Sequence, residues 1–423
     1  MSSESLFAQK IKQLYKVLCK DEWNATVTGI IVAFLSVMIM AWWRPWGAVG
    51  AIRNWGDWIL YMVGWYSDTD MQELVGFIND EGSRVLTKSI WYNSGSVIGL
   101  GFVGGAFLSA CLGGQFALRF PPIRELVKAV IAGILMGIGS ALAGGCNVGG
   151  MYNAIGNLAA NGFAMWLGLV LGVVLGLWLL YKEMEYITWG SGGAKTIEFP
   201  MAVQFILGLI ALAVLVWGAY NYTSFDGDDY SDYINSLSGI LIISAGLGYA
   251  MQRGRWCMVQ GFREPHMTGD CTLAKSVALS IFIVAVGAAV LKYGVAMRFD
   301  GDPVLDPANY VRGTFGWGGV VGGFIFGLGA MFAGGCGSGT LWRVGEGQIK
   351  LWLVVPFFGI SNSIMTAWFK DMDFEADGVL GKYVYLPDVM GYGPTLLLIG
   401  LVMALWYVVV TWNEDSNKLI VPM

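Results

Sequence analysis

Residues 133–149 read GILMGIGSALAGGCNVG, and residues 323–339 read GFIFGLGAMFAGGCGSG. At a constant offset of 190, Gly133, Gly137, Gly139, Ala143, Gly144, Gly145, Cys146 and Gly149 meet Gly323, Gly327, Gly329, Ala333, Gly334, Gly335, Cys336 and Gly339. Eight identities in seventeen positions are too many for two unrelated apolar helices. Each copy is a Gly-studded apolar helix that stops at Gly-Gly-Cys and restarts. A fold must therefore place the same interruption twice. Interrupted apolar helices at matching places in two halves of a membrane protein are a common signature of a transporter.

Composition supports the membrane setting. The chain of 423 residues is 56% hydrophobic and only 13% charged, where a soluble chain carries about 25% charge. Its 61 glycines suit helices that approach closely or break inside a bilayer. The net charge of -5 argues against nucleic acid as a partner. The first twenty residues are polar and Lys-rich, so no cleavable signal peptide is expected. No CxxC pair or Cys/His cluster occurs and His266 is the one histidine, so neither zinc, haem, an iron–sulfur cluster nor another cofactor is expected.

Apolar runs near 25–44, 93–113, 127–145, 163–182, 201–221, 238–253, 274–297, 316–335, 350–369 and 394–412 predict about ten spans of ~30 Å of hydrocarbon. Lys10, Lys12, Lys16, Lys20, Arg119, Arg124, Lys128, Arg253, Arg255, Arg263 and Lys275 then fall on one side, so both termini are expected in the cytoplasm. Asp68, Asp70, Glu73, Asp80, Glu81, Asp226, Asp228, Asp229, Asp232, Asp371, Asp373, Glu375 and Asp377 collect on the other. The expected fold is all-α, with an inverted repeat: 1–92 an N-terminal helix, first span and external loop; 93–182 the first repeat; 183–237 a connector; 238–369 the second repeat; 370–423 a loop and last span. Residues 45–66, with Trp46, Trp55, Trp58 and Trp65, read as an interfacial aromatic segment.

The candidate site gathers at the breaks. Glycine lets the chain turn and lets a solute approach the backbone at Gly145 and Gly335. The segments restarting at Asn147 and Gly337 present free N–H groups and the positive end of a half-helix, which suits an anion. Cys146 and Cys336 beside them suit an anion with a sulfur end. The plainer reading, that cysteine is a small packing residue, weakens when two thiols mark matching breaks. Cys257, in GRWCMVQGFRE, is flanked by Arg255 and Arg263, which gather anions. Cys111 is a candidate counterpart of Cys257, because Phe116 and Phe262 follow each at the same spacing; the thin likeness favours the plainer reading, that it packs its helix. Arg343 and Glu346 are three apart and form either a candidate gating pair or a surface pair at the cytoplasmic end. Cys19 and Cys271 read as bystanders.

AGGCNVGGMYNAIGN (143–157), GRWCMVQGFRE (254–264) and GGCGSGTLWRVGEGQIKLW (334–352) resemble the motifs of the YeeE/YedE family, the sulfur transport domain of bacterial inner-membrane proteins. The likeness is closest to the YedE branch and runs from about 93 to 412. It implies multi-pass insertion in the inner membrane and uptake of thiosulfate, a related sulfur ion or a selenium analogue. It also implies key thiols at Cys146, Cys257 and Cys336. A small TusA-type sulfur-carrier protein is the soluble partner it suggests. Cys111 departs from the YedE pattern. The expected function is that of a permease that passes the ion along thiols and half-helix N-termini. The alternative is a membrane thiol oxidoreductase or sulfurtransferase using the same cysteines.

Overall fold

Long apolar runs without internal polar breaks can satisfy their backbone in a bilayer only as helices. The computed structural model describes residues 6–75, 77–78, 84–85, 90–187, 190, 192–225, 231–298, 306–372 and 378–421. The chain opens with α1 (Leu6–Tyr15), α2 (Ala25–Trp42), α3 (Ala48–Met62), α4 (Asp68–Val75), α5 (Ser94–Gly113) and α6 (Ile123–Leu142). A π-helical turn (Asn147–Tyr152) runs into α7 (Asn153–Gly156), followed by α8 (Asn161–Tyr186), α9 (Met201–Thr223), α10 (Ser231–Arg253), α11 (Met258–Met267) and α12 (Thr272–Arg298). Then come α13 (Trp317–Ala333), α14 (Gly337–Gly345), α15 (Ile349–Asp371), α16 (Leu386–Met390) and α17 (Tyr392–Ser416). Two short antiparallel ribbons, Phe77–Ile78 with Arg84–Val85 and Ala117–Phe120 with Lys195–Glu198, sit in loops of this all-α fold.

Ten helical segments among the described residues are long and apolar enough to cross a membrane. They include each span read from the sequence, with the third running through its break to Gly156 and the eighth to Gly345. The described N- and C-terminal segments lie at one end of the bundle, since both meet the start of α12: Ser276 Oγ donates to the Ala25 carbonyl at 2.6 Å, and Lys275 pairs with Glu414.

The two glycine-rich helices that carry the repeat, α6 and α13, cross each other antiparallel. Gly322 faces Ala143 and Gly139, while Gly329 faces Met136 and Ala132, so residue order runs oppositely along the pair. Small residues at such a crossing let two backbones meet. Around them the packing comes in matching pairs: α8 lies on α13 as α15 lies on α6, and α10 lies on α5 as α12 lies on α2.

The segment 45–66 differs from its interfacial reading. Ala48–Met62 is a helix with Ala48, Ala51, Ile52, Gly56 and Asp57 buried, and it packs on α15 and α5. Trp46 is 1% exposed and donates Nε1–H to Ser36 Oγ at 2.8 Å. Its aromatic residues read as a belt, but the small residues between them form a flat face that enters the core. Trp65 alone of the four is largely exposed. The acidic positions Asp80, Glu81, Asp226, Asp228, Asp229, Asp373, Glu375 and Asp377 lie outside the described residues.

Candidate functional site

Four helical segments begin in the middle of the bundle, each after a chain reversal. Gly47 precedes α3, Cys146 precedes Asn147–Tyr152, Cys257 precedes α11 and Cys336 precedes α14. The first turn of any helix leaves amide N–H groups without intrahelical partners. Here those turns converge. A side chain at Gly337 would sit 3.1 Å from Cys146 Sγ and 3.3 Å from Ala48 Cβ. One at Gly47 would sit 3.4 Å from Gly149 Cα.

The thiols follow the same convergence. Cys257 Sγ and Cys336 Sγ are 3.6 Å apart. A Cβ at Gly339 would lie 2.9 Å from Cys257 Sγ and 3.2 Å from Cys336 Sγ. The first turn of α14 therefore has Cys146 on one side and the Cys257–Cys336 pair on the other. All three thiols are buried. Cys336 Sγ also accepts from the Gly339 amide at 3.3 Å. Both polar atoms of the Asn147 side chain, and Thr340 Oγ1, are buried without a hydrogen-bond partner among the described residues. Buried polar atoms are ordinarily paired, so these are groups that a solute can satisfy.

Toward the end that holds the termini, the thiols give way to charge. Arg343 Nη1 lies 3.8 Å from Cys257 Sγ, and Nη2 donates to Gln260 Oε1 at 3.1 Å. Arg343 thus reaches back along α14, and also donates to the Gly339 carbonyl at 3.3 Å. It does not make the expected pair with Glu346. Glu346, 1% exposed, instead pairs with Arg255 at 2.8 Å and with Arg119 at 3.5 Å. The reason is position: Glu346 caps the end of α14 and faces the loops carrying those arginines, whereas Arg343 points to the N-terminal turn.

At the opposite end a cavity of about 790 Å3 opens onto the break, with Gly145, Cys146 and Gly149 among its lining. Arg44, Arg53, Asp57 and Arg312 also line it. Arg44 Nη2 donates to Ser94 Oγ at 2.8 Å, and Arg53 Nε lies 3.8 Å from Asp57 Oδ2. The sequence reading singles out none of these arginines. One signal was present: Trp46 and Val49 match Trp256 and Val259 at an offset of 210, which sets Gly47 against Cys257. Trp256 repeats the Trp46 bond, donating to Ser276 Oγ at 2.9 Å.

That match gives Cys257 a counterpart other than Cys111. Cys111 is buried within α5, where a Cβ at Gly208 of α9 would sit 3.3 Å from its Cβ. It packs a helix pair there. Cys271 is also buried, and Tyr249 donates its hydroxyl to Cys19 Sγ at 3.5 Å. The left-handed glycines at the breaks are Gly144 (φ +70), Gly145 (φ +154) and Gly334 (φ +82). Gly335 is not among them. Arg255, at φ +49, holds its guanidinium over the Trp342 ring at 5.5 Å.

The chain is 24% identical over 343 residues to "Probable transporter YedE" of Salmonella typhimurium, covering 77% of this chain and 76% of that protein. The like-named Escherichia coli protein matches at the same identity and coverage. "Thiosulfate transporter TsuA" of Escherichia coli is 37% identical over 131 residues, 30% of this chain and 34% of that protein. Residues 2–175 and 253–422 match the family described as Sulphur transport. Those two blocks contain all four helix starts and all three central thiols, and by them the chain belongs to the Sulphur transport family.

Proposed function

We propose that this multi-pass membrane protein takes up thiosulfate, a related sulfur ion or its selenium analogue. The ion passes from Cys146 to Cys257 and Cys336. The observation that carries this reading is the first turn of α14, with Cys146 against Gly337 and both other thiols against Gly339. A relative matching part of the chain is named a thiosulfate transporter.

The chemistry follows from charge. A dianion cannot enter hydrocarbon without groups that replace its water. Free amides at the starts of α11, α14 and the Asn147–Gly156 segment offer hydrogen bonds and positive dipole ends. Each thiol donates a weak S–H bond to the terminal sulfur. Arg343, beside Cys257, then draws the anion toward the terminus-bearing end. The Lys and Arg bias of that end makes it cytoplasmic, and a TusA-type carrier would collect sulfur there. Antiparallel α6 and α13, with the paired packing around them, are the core of an inverted repeat. Its halves begin at α2 and α10, earlier than residues 93 and 238.

The alternative of a thiol oxidoreductase draws on the 3.6 Å Cys257–Cys336 separation, which a small shift would close to a disulfide. It requires the pair to lose two electrons and two protons to an acceptor in each cycle. Transport needs only the thiols and the path between the two ends. The test is uptake of radiolabelled thiosulfate by proteoliposomes. Uptake should be present in the parent and absent in Cys146→Ala and Cys336→Ser, with both variants still folded. Normal uptake by both variants would return the thiols to packing.

A further inference from the structure

We propose that the cavity opposite the termini is a capture site for dianions. In it Arg44 and Arg312 hold the oxygen-bearing end of the ion and leave its terminal sulfur toward Cys146. This rests on the transport reading and adds to it the groups that recognise charge before the thiols are reached.

Three guanidinium groups line the cavity, those of Arg44, Arg53 and Arg312, against one carboxylate among the described lining residues, Asp57. Arg53 faces Asp57 at 3.8 Å. Arg44 is held by a neutral partner, the Ser94 hydroxyl, at 2.8 Å. The described lining residues thus carry an excess of two positive charges, the complement of one dianion. Like charges gathered in a recess repel one another and are offset when an anion enters.

Arg312 combines partial desolvation with that repulsion. Its side chain is exposed to solvent, yet the neighbouring protein takes part of its water. That loss, with Arg44 and Arg53 nearby, pushes its guanidinium down to about 10, still protonated at neutral pH.

Position ties the arginines to the break. Arg44 follows α2 in the first half of the chain, and Arg312 precedes α13 in the second. A Cβ at Gly144 would lie 2.7 Å from the Arg312 carbonyl oxygen, so this backbone abuts the Gly-Gly-Cys turn itself. An ion bridging the two guanidiniums draws together segments on either side of the path to Cys146. Guanidinium forks match the oxygen face of a sulfonate, while a buried thiol matches its sulfur. The site reads charge first and sulfur second.

The test compares thiosulfate uptake by proteoliposomes carrying the parent, Arg44→Gln, Arg312→Gln, and the charge-keeping Arg44→Lys and Arg312→Lys. Each Gln variant should raise KM about 10–100-fold with little change in maximal rate, as expected for loss of a charge-assisted contact. The Lys variants should recover much of that loss. Sulfate should inhibit the parent competitively without being carried, and thiocyanate, a monoanion, should inhibit far less. Unchanged KM in both Gln variants, or a fall in rate alone, overturns the capture site while leaving transport standing. If the parent carries no thiosulfate, the transport reading fails, and calorimetry with sulfate in detergent decides the capture site. Binding by the parent that Arg44→Gln and Arg312→Gln abolish sustains it. Equal binding by all three, or none by the parent, overturns it.

Discussion

Gly144 and Gly334 hold matching places in the two breaks, and both are left-handed, at φ +70 and +82. A side chain in that conformation costs about 1–2 kcal/mol. At Gly334 nothing among the described residues lies within 4 Å of an added Cβ, so Gly334→Ala should cost only that amount. At Gly144 the methyl would meet Gly313 Cα at 2.6 Å and the Arg312 carbonyl oxygen at 2.7 Å. Both obstacles are backbone and cannot rotate aside, so overpacking adds about 1–3 kcal/mol. Gly144→Ala should therefore lose about 2–5 kcal/mol. Gly335 is different again: its backbone is not left-handed, and the methyl meets Arg343 Nη1 at 2.9 Å, the end of a flexible side chain. Gly335→Ala should stay within about 1 kcal/mol of the parent, yet slow uptake by moving Arg343 off Cys257. Thermal unfolding in detergent ranks the three. The expected order of stability is Gly144→Ala lowest, then Gly334→Ala, then Gly335→Ala near the parent. Equal losses, or a Gly144→Ala protein as stable as the parent, would refute the geometry of the break.

Cys111→Ala should keep full uptake and Cys271→Ser should be silent in transport, read by initial rate; loss of uptake in a folded Cys111→Ala protein would restore Cys111 to the path. Glu346→Gln should destabilise by about 1–3 kcal/mol and slow release, because Arg255 and Arg119 lose their shared carboxylate; unchanged stability in a melting scan would count against that clamp. A cysteine placed at Asp388 should label from outside the cell and one at Lys418 from within; the reverse pattern would overturn the orientation.

The ten spans were legible because mean hydropathy over a long window needs no tertiary information. The breaks at Cys146 and Cys336 were legible because the chain states them twice. What escaped was the placing of residues by packing. Residues 45–66 carry the tryptophans of an interfacial belt, and only the facing helices show that Ala48, Ala51 and Gly56 form a buried face. The partner of Glu346 could not be read from spacing along α14, since Arg255 and Arg119 come from other loops. Cys257 lacked a visible counterpart because its matching position, Gly47, carries no thiol, and so Cys111 was chosen by spacing alone. Arg44 and Arg312 stand 268 positions apart, and nothing short of the fold brings both to one cavity.

The central claim, that an intact ion crosses along the thiols, is tested most directly with thiosulfate carrying distinguishable labels on its two sulfur atoms. Proteoliposomes holding the parent protein would be loaded, washed and lysed under thiol-blocking conditions, and the two labels counted. Passage along Cys146, Cys257 and Cys336 without covalent chemistry predicts both labels inside in equal amounts, with no label on the protein and no Cys257–Cys336 disulfide by non-reducing mass spectrometry. Accumulation of the terminal sulfur alone, or its retention on a cysteine, would contradict the transport account and establish sulfur transfer in its place.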